Sequence, residues 1–246
     1  AQPGVTNLGI TRAVEEHGFY YAPDPSSQIA CTIGGNVAEN SGGVHSLKYG
    51  LTASNVLGVE MVLINGDVVR LGGKHLDAEG LDILGLVTGS EGLLGVVTEV
   101  TVRVLQKPQT ARAALIGFAT SEEAGQCVAD IVSAGIIPGG MEMMDRPAIH
   151  AAEDFVHAGY PLNVEALLIV ELDGPEAEVD DLLARVEQIA ACGPGEAPES
   201  DRRVRHAEGR VSDRGHRLAE PRGDEAERIE VGGLALVGRH ADRRVA

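Results

Sequence analysis

The 246-residue chain can hold one large domain or two small ones, and it combines a hydrophobic fraction of 43% with a formal net charge of −17. This acidity argues against a nucleic-acid surface and against binding to anionic membranes, and no apolar run approaches the roughly 18 residues of a membrane-spanning helix. The three cysteines (Cys31, Cys127 and Cys192) are far apart, which argues against a disulfide framework or a structural zinc site and fits the reducing cytoplasm.

The first segments of the chain predict a helix followed by a loop-rich stretch. Thr6 to His17 has a capping residue at its start, one mostly apolar side and Gly18 after its end, so it predicts a short helix. Pro23 to Gly50 mixes Pro, Ser, Asn and several glycines with short apolar groups. We expect loops there, in which the backbone matters more than the side chains.

Two regions of β-structure are predicted next. Asn55 to Leu71 predicts a hairpin, because Asn65-Gly66 is a type I′ turn signal between two aliphatic runs. The segment 81–87 is a short helical or extended piece that leads into Gly89-Ser90-Glu91-Gly92. Gly95 to Leu105 predicts a further strand. Alternation along that strand predicts one face formed by Val96, Thr98, Val100, Val102 and Val104.

After Lys107-Pro108 the pattern alternates between strand and helix. Thr120 and Glu123 form a capping box, which predicts a helix that ends before Gly135. Three methionines before Asp145 predict a hydrophobic edge strand. The remaining predicted elements are a strand over 113–118, a helix over 146–156, a strand over 164–172 and a helix over 175–191. The alternation predicts a small α+β domain with Lys107 to Ala111 as a hinge.

The composition changes abruptly towards the C-terminus. Residues 1–200 carry 9 basic and 28 acidic side chains, whereas residues 201–246 carry 11 arginines and 9 acidic side chains without any aromatic residue. Apolar residues there are mostly single, so the segment cannot offset the entropy of ordering. We expect residues 193–246 to be a disordered tail or frame-shifted sequence. Its histidines (His206, His216 and His240) are assigned no metal-binding role.

Two glycine-rich stretches carry the functional signal, Pro23 to Gly50 and Gly89 to Glu99. Paired glycines let a backbone approach a large cofactor closely, and Ser and Thr hydroxyls can bond to phosphate and ribitol oxygens. A small residue such as Ala38 leaves room for a ring system. Each glycine pair alone is a weak signal, since such pairs also mark turns, and the order and spacing of the whole set make it stronger.

The run P-D-P-S-S-x₄-T-I-G-G-N-x₃-N-S-G-G, with the later G-S-E-G-x-L-G-V-V-T-E, resembles the FAD domain of the vanillyl-alcohol oxidase and p-cresol methylhydroxylase (PCMH) type. Within that type it is most similar to the glycolate oxidase FAD subunit and its D-lactate dehydrogenase relatives. The resemblance implies an α+β fold: the C-terminal part of a PCMH-type FAD-binding domain over 1–107, a partial cap or substrate domain over 111–192, and the tail. It implies FAD as the cofactor and oxidation of a small 2-hydroxy acid, of the glycolate or D-lactate type, by hydride transfer to the flavin.

Matching motif positions assigns cofactor-binding residues by resemblance. Nine of them would surround the pyrophosphate, ribitol and ring: Pro25, Ser26, Ser27, Thr32, Gly34, Gly35, Asn36, Ala38 and Gly42. Three others would lie by the adenine half or on the strand that closes over it: Glu91, Gly95 and Val97. No metal ligand and no catalytic residue are assigned, because the family's phosphate loop and its C-terminal histidine-rich segment have no counterpart here. We therefore expect an incomplete chain with little or no turnover.

Alternatives stay open for two residues and for the function. His45 and Lys48 could both face a substrate or an anionic flavin. The alternative for His45 is a hydrogen bond to nearby backbone. A non-catalytic subunit that keeps the FAD fold as an assembly partner is the alternative to an oxidase that binds a 2-hydroxy acid and works with partner subunits. A nicotinamide or nucleoside-triphosphate binder is disfavoured, because neither a strand–GxGxxG–helix unit nor a GxxxxGK[ST] loop is present.

Overall fold

The computed structural model describes residues 1–75 and 80–191, together with the backbone of residues 204–209. The chain divides into two units, Ala1–Lys107 and Pro108–Ala246. Both units mix helices and antiparallel strands, in agreement with the predicted α+β class. Among the helices of the described residues, none is long and apolar enough to cross a membrane.

The described residues of the first unit form four short α-helices and a three-stranded antiparallel sheet of strand order β3-β2-β4, while β1 pairs with β5. Its elements are α1 (Asn7–Val14), β1 (Phe19–Tyr20), α2 (Ile33–Glu39), α3 (Ser46–Tyr49), β2 (Val56–Val62), β3 (Val68–Gly72), α4 (Ile83–Val87), β4 (Val96–Val102) and β5 (Leu105–Gln106). Helices α1 and α2 pack against the sheet through a shared core. That core comprises Ile10, Tyr21, Ile33, Val37, Val56, Val59, Met61, Val87 and Val100.

The predicted helix at the start of the chain is confirmed. The Thr6 hydroxyl accepts a hydrogen bond from the Gly9 amide at 3.1 Å, which caps α1. A 3₁₀ turn over Glu15–His17 extends it, and Gly18, with a φ of 79°, ends it.

The stretch expected to be loop-rich contains a helix. Helix α2 begins after Thr32, whose hydroxyl accepts from the Gly35 amide at 3.4 Å. Two glycines lower helix propensity, and the sequence pattern therefore favoured a loop. Ile33 and Val37 are fully buried on one side of α2, and this tertiary packing outweighs the propensity.

The predicted hairpin is confirmed, but its turn type is wrong. The Gly66 amide donates to the Leu63 carbonyl and the Leu63 amide to the Asp67 carbonyl, both at 2.9 Å. Gly66 has a φ of 88°, whereas Asn65 has no positive φ, which a type I′ turn requires. The connection is therefore a three-residue turn that ends on a left-handed glycine.

The single face predicted for β4 is interrupted by a β-bulge. Met61 pairs with Val97 while its neighbour Glu60 pairs with Glu99, so Thr98 is an extra residue on β4. Val97 and Val100 both turn towards the core, whereas Val96 is exposed. The predicted alternation is wrong because one inserted residue shifts the two-residue period.

The second unit is an antiparallel sheet with helices on both faces. Its elements are β6 (Thr110–Phe118), α5 (Ser121–Ser133), β7 (Gly140–Asp145), α6 (Arg146–Val156), β8 (Ala166–Gly174), α7 (Glu176–Ala191) and β9 (Val204–Gly209). The strand order is β7-β8-β6-β9, so the methionine-rich strand β7 lies at an edge as predicted. Helices α5 and α7 pack with Leu168 and Val170 on one face, and Ile149 of α6 packs with Leu167 and Ile169 on the other.

Helix boundaries in the second unit follow their capping signals. The Thr120 hydroxyl accepts from the Glu123 amide, and the Glu123 carboxylate accepts from the Ala119 amide, both at 3.2 Å. Asp145 caps α6 by accepting from the Ala148 amide at 2.9 Å. The predicted starts of these two helices are therefore confirmed.

Strand β9 lies within the tail expected to be disordered. It pairs with β6 in antiparallel register from Ala111↔Gly209 to Ile116↔Val204. These six residues form a strand because main-chain pairing to an open sheet edge needs no apolar periodicity of its own. The expectation for residues 193–203 and 210–246 falls outside the described residues.

Candidate functional site

Helix α2 carries the T-I-G-G-N motif at the surface of the first core. Ile33 and Val37 anchor it, and Asn36 lies beside them with only 2% of its surface exposed. The Asn36 side-chain nitrogen, Nδ2, is buried and has no hydrogen-bond partner among the described residues. A buried donor without an acceptor is costly, which is why such groups in folded proteins call for an explanation.

The backbone amides at the start of α2 are already bonded within the protein. The Ile33 amide donates to the Val5 carbonyl at 2.9 Å and the Gly34 amide to the Pro3 carbonyl at 3.0 Å. The side of Gly34 faces Pro3 so closely that a Cβ atom would lie 2.7 Å from the proline ring. Close packing on Pro3 therefore accounts for Gly34, and these amides are not available to a phosphate.

The far end of α2 joins the second glycine-rich stretch. The Gly89 amide donates to the Val37 carbonyl and the Glu91 amide to the Ala38 carbonyl, both at 2.8 Å. Glu91 has a positive φ of 56°, which aligns its amide in this turn. The structure thus brings predicted residues Ala38 and Glu91 together through main-chain bonds.

A second junction joins the P-D-P-S-S loop to the segment after α2. Nδ1 of His45 lies 2.6 Å from Oδ2 of Asp24, and the His45 amide donates to Asp24 Oδ1 at 3.4 Å. The two side chains are 24% and 20% exposed, respectively. Gly43 passes so close to the Asp24 carbonyl that a Cβ atom would overlap it. A glycine is therefore needed where the two loops meet.

An aromatic ring lies beside His45. The Tyr49 ring lies 6.5 Å from the His45 ring and packs edge-to-face on Tyr20 at 6.2 Å. The Lys48 ammonium lies 5.4 Å from the centre of the Tyr49 ring, a cation–π contact. Lys48 and His45, both singled out in the sequence, thus share contacts with one tyrosine.

Buried polar residues support these loops from beneath. The Asn55 side chain donates from Nδ2 to the carbonyls of Tyr49 and Leu51, both at 2.9 Å. Its Oδ1 atom accepts from the Arg103 guanidinium at 3.0 Å. Burial raises the pKa of Tyr21 to about 12, although the neighbouring Thr52 side chain lowers it in part.

The remaining predicted residues occupy three places. Pro25 begins a turn that the Gln28 amide closes at 2.8 Å, and the adjacent side chains of Ser26 and Ser27 are exposed. Gly42 packs against Leu51 and Ser46. Two residues, Gly95 and Val97, lie apart from these loops in the sheet, where they pack against Met61 of β2.

The side chains present fit a large polar cofactor better than the backbone does. Asn36 Nδ2 needs an acceptor, the serine hydroxyls are exposed, and the exposed Gly35 has no side chain to block an approach. FAD offers many phosphate, ribitol and ring acceptors for such donors. The first amides of α2 do not contribute, so phosphate anchoring by that helix end is not supported.

Sequence reasoning missed Asp24 and Asn55. Asp24 belongs to the P-D-P-S-S run, yet nothing in the pattern pairs it with His45, which lies 21 residues further along the chain. The sequence pattern places Asn55 at the start of a strand, although its side chain bonds to three other residues. In the part of the chain that the structure describes, no group of three or more His, Cys, Asp or Glu side chains could hold a metal.

Two family models match the chain. The model described as FAD binding domain matches residues 1–72, and the model described as FAD linked oxidases, C-terminal domain, matches residues 107–216. The second match includes strand β9. A solved structure of an alkyldihydroxyacetonephosphate synthase is 24% identical with a TM-score of 0.67, and it covers 80% of this chain and 40% of that one. That likeness supports the fold alone.

Several curated proteins are similar in sequence. The glycolate oxidase subunit GlcD of Escherichia coli (strain K12) is 59% identical over 188 residues, which cover 76% of this chain and 38% of that protein. The corresponding subunit of Bacillus subtilis (strain 168) is 45% identical over 197 residues, covering 80% and 42%. A D-lactate dehydrogenase of Anaerostipes hadrus is 31% identical over 196 residues, covering 76% and 41%. The chain thus spans about two fifths of the length of these relatives.

Proposed function

Because the chain is related to the FAD-linked oxidases, with glycolate oxidase subunits and D-lactate dehydrogenases among its relatives, we propose that it forms part of an FAD-dependent enzyme that oxidises a small 2-hydroxy acid. FAD supplies the electron-pair acceptor for such an oxidation, and the protein binds and orients it. The residues of this chain contribute the cofactor cradle formed by the P-D-P-S-S loop, α2 and the Gly89–Gly92 turn.

Asn36 is the observation that supports this proposal most directly. Its Nδ2 donor is buried and has no partner among the described residues, and it belongs to the motif that resembles the FAD family, where a bound cofactor would supply the acceptor. The exposed Ser26 and Ser27 and the half-buried Thr32 offer hydroxyls within the same motif, and the exposed Gly35 has no side chain to block an approach. Gly34, Gly42 and Gly95 act indirectly, since protein packing explains their lack of a side chain.

A reconstitution experiment tests cofactor and substrate class separately. The purified chain is incubated with FAD and freed of unbound cofactor by gel filtration, and the absorbance of the retained flavin is recorded. We expect the flavin to be retained. Because no catalytic residue is assigned to this chain, glycolate or D-lactate added without oxygen should bleach the flavin only slowly, and acetate should not bleach it at all. A chain that retains no flavin would contradict the proposal. Retained flavin that neither acid bleaches even on prolonged incubation would favour a non-catalytic FAD-fold subunit.

The proposal extends to partner subunits and to the location of the protein in the cell. The relatives named as subunits suggest that the protein works within a multi-subunit oxidase, and we propose partner subunits accordingly. The absence of a CxxC pair and the acidic charge are consistent with a cytoplasmic location. Co-purification of the tagged protein with other subunits, followed by cell fractionation, tests both statements.

A further inference from the structure

The contact between Asp24 and His45 lies where the two loops of the cradle meet. Asp24 directly precedes Pro25, Ser26 and Ser27, and His45 follows Gly42 and Gly43 on the other loop. Their side chains approach to 2.6 Å and are mostly shielded from water. A histidine held this way by a carboxylate changes the local charge when it takes up a proton.

The charge of the pair depends on one proton. With neutral His45 the pair carries the single negative charge of Asp24, and with protonated His45 its net charge is zero. The pyrophosphate of FAD carries negative charge on both phosphates. Loss of one negative charge from the cradle therefore favours the bound cofactor, and more so because the whole chain is strongly acidic.

We infer that the Asp24–His45 pair links cofactor binding to proton uptake, with His45 as a charge-setting residue and Asp24 as the residue that positions it. This inference rests on the proposed FAD-binding function. It adds a role for two residues outside the set assigned by the family motif. By thermodynamic linkage, FAD binding and protonation of His45 strengthen each other to the same extent.

Among the described residues, charged or titratable groups at this place come from a helix, a strand and a loop. Lys48 and Tyr49 belong to α3, Tyr20 belongs to β1, and Asp24 belongs to the loop before α2. Lysine and tyrosine side chains ordinarily change charge only at alkaline pH. Among these groups, histidine is therefore the one expected to change charge near neutrality.

The test measures the dissociation constant of FAD for the full chain by flavin fluorescence between about pH 5.5 and 8, the range in which an unperturbed histidine changes charge. We expect the wild-type chain to bind FAD roughly three- to tenfold more tightly at the acid end, as suits one partly shielded charge. His45→Gln should give a flat profile at the weaker, high-pH level. Asp24→Asn should move the midpoint of the profile to lower pH, because the carboxylate no longer stabilises the imidazolium.

His17→Gln is the matched control, because His17 forms a comparable but exposed pair with Glu16 at 3.5 Å, outside the cradle. Its profile should match that of the wild type. A wild-type profile that is flat, or one whose slope persists in His45→Gln, would overturn the inference while leaving the FAD-binding function intact. Failure of the wild-type chain to bind FAD at any pH would overturn both together.

Discussion

At the scale of single residues, replacing Asn36 should have opposite effects on the stability of the chain and on its affinity for the cofactor. The buried Nδ2 atom of Asn36 has no partner in the part of the chain that the structure describes, which costs roughly 1–3 kcal/mol. Replacing a polar side chain with an apolar one of similar shape removes that cost. The same replacement also removes the hydrogen-bond donor that Nδ2 would offer to a bound cofactor.

We therefore expect Asn36→Leu to raise the free energy of unfolding of the cofactor-free chain by about 1 kcal/mol and to weaken FAD binding by roughly tenfold. Denaturant unfolding and flavin titration measure the two effects. Ser133→Ala, in α5 of the second unit, serves as a control that should leave FAD affinity unchanged. A simultaneous loss of stability and affinity would instead identify Asn36 as a purely structural residue.

Tyr21 predicts a stability change at alkaline pH. Burial raises its pKa to about 12, so folding favours the protonated phenol. The stabilisation is complete below the unfolded-state pKa of about 10 and is lost as the pH rises towards 12. Unfolding by denaturant at several alkaline pH values should show a decline of about 2–3 kcal/mol across this window. In Tyr21→Phe this part of the decline should be missing.

The sequence predicted which residues belong to the cradle better than what each residue does. Hydroxyl and amide side chains such as Ser26 and Asn36 are recognisable by chemistry alone. The reason for Gly34 is its closeness to Pro3, and the reason for Gly43 is its closeness to Asp24. Contacts between residues distant in sequence leave no periodic signal, so the Asp24–His45 pair could not be predicted.

At the scale of elements, helix α5 contains an interior glycine that lowers its stability. Gly125 lies in the interior of this helix, exposed, and a Cβ atom there would meet no other atom within 4 Å. Gly125→Ala should therefore stabilise the chain by about 0.5–1 kcal/mol, because alanine loses less backbone entropy on helix formation.

Thermal or denaturant unfolding checks this prediction, with Gly117→Ala as the contrasting variant. A Cβ atom on Gly117 in β6 would lie 2.7 Å from Val164, so that substitution should lower the free energy of unfolding. If both alanine variants changed the free energy of unfolding equally, the contributions of helix propensity and of side-chain packing could not be distinguished by these two positions.

Local signals predicted elements well wherever capping and periodicity agreed. Thr120 and Glu123 mark the start of α5, and Asp145 marks the start of α6. The local signals predicted the wrong structure where contacts between residues distant in sequence determine it. The bulge at Thr98 is set by pairing with β2, and the helical state of α2 is set by burial of Ile33 and Val37.

At the scale of the whole molecule, β9 shows that composition alone underestimates order. The arginine-rich segment has few apolar residues, yet the backbone of 204–209 completes one edge of the second sheet. A chain ending after Ala191 lacks this strand and should have a lower free energy of unfolding and a stronger tendency to associate, because the edge of β6 is left open.

A chain ending after Gly209 is the matched control, since it keeps β9. Denaturant unfolding and light scattering of both truncations compare their stability and association. Identical behaviour of the two chains would show that β9 contributes nothing to the sheet and would favour the frame-shift interpretation of the tail.

The position of β9 also matters for the nascent chain. Strand β6 leaves the ribosome before two further strands and three helices, while the partner for its outer edge is translated only after all of them. During synthesis β6 therefore spends this interval with an open edge, a condition that invites pairing between neighbouring chains on one messenger RNA. Slow decoding between α7 and β9 would lengthen that interval, so the yield of folded protein should depend on the codons there.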